Sequence, residues 1–124
     1  MKIKANFNDL VGQTLVSVKQ EECNEGDNIT FITDTGKIYQ IYHEQDCCES
    51  VMIEDICGDL NNLVGEPILI AEECTQDDKN SSESGTWTFY KLATIKGSVD
   101  IRWYGSSNGY YSESVKMYLV NPTQ

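Results

Sequence analysis

Residues 86–104 read TWTFYKLATIKGSVDIRWY, two runs of β-branched and aromatic residues joined by Thr94-Ile95-Lys96-Gly97. Two strand-forming runs around a short turn, with a glycine free to take positive φ, are the signature of a β-hairpin. The same grammar extends outward. Further strands are expected near residues 14–20, 28–33, 37–43, 50–54, 67–74 and 113–120, with Asp34-Thr35-Gly36 as a second hairpin turn. Helix is expected only as short pieces at Asn8–Gly12 and Asp55–Gly65, where Asp55, Asp59 or Asn61 could cap the start and Gly65 the end. Thr75–Gly85, TQDDKNSSESG, is polar, small and free of apolar side chains, which predicts a surface loop.

The strand pattern repeats. Asn8–Val18 parallels Asn61–Ala71, Ile29-Thr30-Phe31 parallels Trp87-Thr88-Phe89, GKIYQIYH (Gly36–His43) parallels GSVDIRWY (Gly97–Tyr104), and Glu49-Ser50-Val51 parallels Glu113-Ser114-Val115. Four matches in one order predict an internal duplication. The expected fold class is α+β, mostly antiparallel β, built from a duplicated unit of one short helix plus about four strands in hairpin succession. A single domain over 1–124 is expected, with a first repeat at about 6–55 and a second at about 56–120.

Charge narrows the partners. The 124 residues carry 20 acidic and 9 basic side chains, a formal net charge of −11. Nucleic-acid backbones and anionic membranes are bound through Lys and Arg, so direct contact with either is not expected. The acids crowd into residues 1–60. Met1–Asn6 has no apolar run, so no signal peptide is expected, and no stretch is long and apolar enough for a membrane span. The five cysteines, odd in number and irregular in spacing, then read as reduced thiols.

The polar cluster His43–Glu49 holds the soft zinc donors His43, Cys47 and Cys48, with Cys57 nearby. Adjacent cysteines on an extended chain point to opposite faces, and no second ligand pair follows, so no metal and no cofactor is expected. A Cys–His nucleophile pair lacks an orienting group and an oxyanion turn in the flanking sequence, so no catalytic residue is assigned. Two surfaces remain. The first is acidic: Asp46, Glu49, Glu54, Asp55 and Asp59. The second is a loop around Gly105–Glu113, where Arg102, Trp103, Ser107, Asn108, Tyr110 and Tyr111 offer stacking, polar contacts and one cation; Asn108-Gly109 also suits a plain hairpin turn.

TWTFYKLATIKGSVDIRWYGSSNGYYSESV and YHEQDCCESVMIEDICGDLNNLVGEPILIAEE resemble a family of small bacteriophage- and prophage-encoded proteins of unknown function, from about Asn6 to Val120. The resemblance implies a phage accessory protein in the cytoplasm of a bacterial host. The expected function is non-enzymatic: it counters bacterial defence by stoichiometric binding of a host defence protein, as an acidic nucleic-acid mimic directed at an enzyme such as a CRISPR nuclease. One alternative is a sponge, as a homo-oligomer, for a small nucleotide-derived immune signal. The other is a structural phage component.

Overall fold

The computed structural model describes residues 2–23, 26–45, 47–79, 84–109 and 111–121. Among them run nine strands: β1 Ile3–Ala5, β2 Leu15–Cys23, β3 Gly26–Thr33, β4 Ile38–Tyr42, β5 Ser50–Cys57, β6 Ile70–Asp77, β7 Ser84–Thr94, β8 Gly97–Ser107 and β9 Lys116–Leu119. Every strand pairing is antiparallel, in two sheets of order β1-β9-β4-β3-β2 and β5-β8-β7-β6. The first sheet holds β2, β3 and β4 with β9 beside them; the second holds β6, β7 and β8 with β5 beside them.

Helix is scarcer than expected. Among the described residues it amounts to two single 3-10 turns, Phe7–Leu10 and Leu60–Leu63, so the fold is mostly antiparallel β with very little helix. Each turn is stopped within two residues by Val-Gly, with Gly12 and Gly65 at φ +87° and +93°, where a side chain would be strained. Asp59, not Asp55, caps the second turn, accepting from the Asn61 amide at 2.9 Å. Asp55 belongs to β5, which continues past a bulge between Ile53 and Asp55 to reach Cys57. The expected boundary between repeats therefore falls inside a strand.

Three more corrections concern connections. The expected loop Thr75–Gly85 is shorter, because β6 runs to Asp77 and the Asp78 amide closes onto the Gly85 carbonyl at 2.8 Å. Strand β1 was not expected. Its three residues, Ile3-Lys4-Ala5, pair with β9 and are too few to show a period. Most consequentially, β4 and β5 are not hairpin partners, and neither are β8 and β9: each connection leaves one sheet and enters the other.

The inward faces meet in one core drawn from both sheets and both 3-10 turns. Leu10 and Leu63 are fully buried, as are Leu15, Ile29, Phe31 and Ile41 from the first sheet and Tyr90, Leu92 and Val99 from the second. Burying an aliphatic or aromatic side chain of this size contributes about 1.5–3 kcal/mol each, which is what recruits two such short turns. Phe7 packs against Tyr90 with the rings tilted by 49° and their centroids 4.6 Å apart, tying the first turn to the second sheet.

Candidate functional site

The two surfaces expected from the sequence are dismantled and partly recombined. Glu49 is only 5% exposed, and its side chain accepts from the Cys47 amide at 2.9 Å and from Gln45 Nε2 at 3.2 Å, while His43 Nε2 lies 2.7 Å away. It is an anchor of the β4–β5 crossing, not a partner contact. Trp103 is 1% exposed and belongs to the core, and Ser107 is turned inward to donate to Glu113 at 2.5 Å. Tyr111 is half-buried and Asn108 is exposed. Asp46 and Tyr110 lie outside the described residues. Glu54 and Asp55 are exposed, and both reach Arg102, so two members of the acidic surface meet one member of the other on the outer face of the second sheet.

His43 has no ring nitrogen to offer chemistry. Its Nδ1 lies 2.7 Å from the Ser114 carbonyl, which can only accept, so Nδ1 carries a proton, and Nε2 is held by Glu49. The Cys47 and Cys48 sulfurs are joined in a disulfide, which overturns the reading of these two as reduced thiols. A bend at residues 47 and 48 replaces the extended chain that would have separated them. Cys57 is exposed, and its thiol donates to Asp55; that bond and the carboxylate's charge hold its pKa above the ordinary cysteine value, which makes it a reluctant thiolate. The four donors considered for zinc are therefore dispersed, and no cluster of three or more His, Cys, Asp or Glu suited to a metal occurs among the described residues.

Strand register builds the outer face of the second sheet row by row. Gln76, Trp87, Tyr104 and Met52 lie abreast; then Cys74, Phe89, Arg102 and Asp55; then Glu72, Lys91, Asp100 and Cys57. Side chains two apart on a strand share a face, so Trp87-Phe89-Lys91 and Asp100-Arg102-Tyr104 interleave. The Trp87 ring centroid is 4.5 Å from that of Tyr104 and 6.3 Å from that of Phe89. Arg102 sits over Trp87, its guanidinium carbon 5.4 Å from the ring centroid, while its Nε bonds Glu54 and its Nη2 lies 3.9 Å from Asp55. Tyr104 donates to Asp78 at 2.7 Å. Beside this floor a cleft of about 370 Å³ is lined by Phe89, Asp55, Glu72, Asp100 and Lys91 among others. Trp87, Phe89, Glu72 and Asp100 were not singled out from sequence, although their alternation with core residues was visible in β7 and β8.

The opposite outer face carries the other sign. Lys4 and Lys19 lie in one row across the first sheet with Tyr118, Gln40 and Thr30 between them, and Lys116 faces Tyr42. Lys2 covers the paired rings of Tyr42 and Tyr118, 4.9 and 4.5 Å from their centroids, and bonds Glu44 at 2.8 Å.

No helix among the described residues is long and apolar enough to cross a membrane. A family model described as a domain of unknown function (DUF7448) matches residues 8–117. Neither a curated protein nor a solved structure shows significant similarity to the chain.

Proposed function

The chain belongs to that family of unknown function, and from its own surface we propose that it acts without catalysis, as a stoichiometric binder of a basic, nucleic-acid-binding protein. One observation carries this reading: exposed carboxylates stand on both outer strands of the second sheet's outer face, Glu54 and Asp55 on β5 and Glu72 on β6. Three strand spacings of about 4.8 Å separate the two strands, roughly 14 Å. That is close to the roughly 12 Å width of the B-DNA major groove, whose margins are lined by phosphates. Two such rows of negative charge suit a groove evolved for a nucleic-acid backbone.

The setting in this reading is a phage accessory protein working in the bacterial cytoplasm against a host defence enzyme, a CRISPR nuclease being one example. Its support is the sequence resemblance and the net charge. Sequestration of a nucleotide signal fits less well, since the aromatic cleft is ringed by carboxylates that repel phosphates and Trp103 is inaccessible. A role as a structural phage component has no dedicated feature behind it. We also read the chain as an internal duplication; the matching strand order of the two sheets and the two Leu-Val-Gly turns support this.

The experiment is capture from bacterial lysate at low salt, followed by competition. The captured protein should bind a fluorescent DNA or RNA duplex, and one equivalent of this protein should displace it. Displacement should fade between 50 and 500 mM salt. A captured partner whose nucleic-acid binding is untouched would overturn the reading.

A further inference from the structure

We propose that the outer face of the second sheet is the docking site, and that its occupant is an arginine- or lysine-bearing segment of a protein partner. The inference deepens the proposed function by naming the surface and the chemistry it recognises. Three observations converge on it. First, the face is an open sheet surface with an apolar floor: Trp87, Phe89 and Tyr104 are only half-buried, and Met52 is 50% exposed. Half-exposed aromatic rings are the surface type that takes up cationic side chains, through the ring quadrupole and through contact with the side-chain stem; Trp87 already carries Arg102, and Phe89 lines the cleft beside it.

Second, the molecule already performs this recognition on itself. Arg102 lies over Trp87 while Glu54 and Asp55 take its guanidinium, a ring below and carboxylates at the side. On the other sheet Lys2 does the same over Tyr42 and Tyr118 with Glu44. Beside Arg102, the Phe89 ring in its own row and the carboxylates of Glu72 and Asp100 in the next repeat those ingredients around the cleft, with Lys91 as the resident cation. A cationic side chain entering this cleft would rest its stem on Phe89 and direct its head group to Glu72 and Asp100.

Third, charge selects the face and the sign of the partner. The second sheet's outer face presents Glu54, Asp55, Glu72 and Asp100 against Arg102 and Lys91, whereas the first presents Lys2, Lys4, Lys19 and Lys116 against Glu21 and Glu44. A basic segment is drawn to the one and repelled by the other, which fixes the docking orientation before contact.

The probe is a nona-arginine peptide, titrated into the full chain and followed by amide chemical shifts and by tryptophan fluorescence. Of the two tryptophans, Trp103 is sealed in the core and Trp87 is on the face, so a change in emission reports docking there. Shifts should concentrate on β6, β7, β8 and β5, and Glu72→Lys with Asp100→Lys should weaken binding at least tenfold. Trp87→Ala, on the wet side of the sheet, should remove the fluorescence response and weaken binding several-fold at a salt concentration that screens the carboxylates. Shifts centred on Glu21, Glu22 or Asp34, binding indifferent to both sets of variants, or no binding would each overturn the proposal. None of these readouts requires the natural partner, so failure here is separate from failure of the displacement experiment. Displacement that survives Glu72→Lys with Asp100→Lys would place the inhibitory surface elsewhere.

Discussion

Glu113 makes the β8–β9 crossing a test of how a buried carboxylate holds two sheets together. It is 8% exposed and accepts from Ser107 Oγ at 2.5 Å and Thr86 Oγ1 at 2.8 Å. Burial by itself would raise its pKa, but the hydroxyls of Ser107, Thr86 and Ser84 together outweigh that and hold it below the ordinary glutamate value of 4.5. Glu113→Gln keeps the shape and removes the charge. A hydrogen bond to a charged acceptor contributes about 1.5–3 kcal/mol and a neutral one about 0.5–1.5, so two bonds lose about 2–3 kcal/mol in all. For a chain of this length that lowers the melting temperature by about 10 °C. Because the folded pKa is depressed, the wild-type advantage is fully present above pH 4.5 and is lost as pH falls through the lower, folded value. Urea denaturation of both proteins from pH 7 to pH 3 should therefore show two curves that converge in acid. A gap that stays constant with pH, or a variant as stable as wild type at pH 7, would refute the argument.

Two further variants probe the same crossings. Gly105→Ala should cost about 1–3 kcal/mol in urea denaturation, because a Cβ there would meet the Glu113 carbonyl oxygen at 2.8 Å and Val51 Cγ2 at 3.0 Å; unchanged stability would show that β9's approach is looser. His43→Ala should cost about 1.5–3 kcal/mol by removing one of Glu49's buried hydrogen-bond partners, and a cycle with Glu49→Ala should return a coupling of about 0.5–3 kcal/mol, whereas strictly additive costs would mean the two do not support each other.

Strands were legible because local composition determines them; partners were not, because pairing across two sheets is non-local. All eight expected strands exist, yet β4–β5 and β8–β9 read as hairpin successions until the sheets are seen. The misplacement of Trp103 was avoidable. Val99, Ile101 and Trp103 alternate with Asp100, Arg102 and Tyr104, so Trp103 and Arg102 could not share a face. Glu49 misled for the opposite reason: a carboxylate in a polar loop is ordinarily solvated, and only its approach to His43 turns it inward. The residues of the second sheet's outer face alternate with the core in the two longest strands, a signal that a search for clustered charges passes over.

The exchange of strands between sheets has a consequence for how the chain is made. Residues 116–119 insert between β1 and β4, so the first sheet stays in two pieces until β9 has left the ribosome. At about 5–20 residues per second the interval from the end of β4 to the arrival of β9 lasts several seconds, longer than most small domains need to fold. During that interval β4 offers an unpaired edge to any passing strand, and the carboxylates of Glu21, Glu22 and Glu44 on the nascent sheet keep sister chains apart by repulsion. Part of the chain's acidity thus serves during synthesis, as a chaperone written into the sequence.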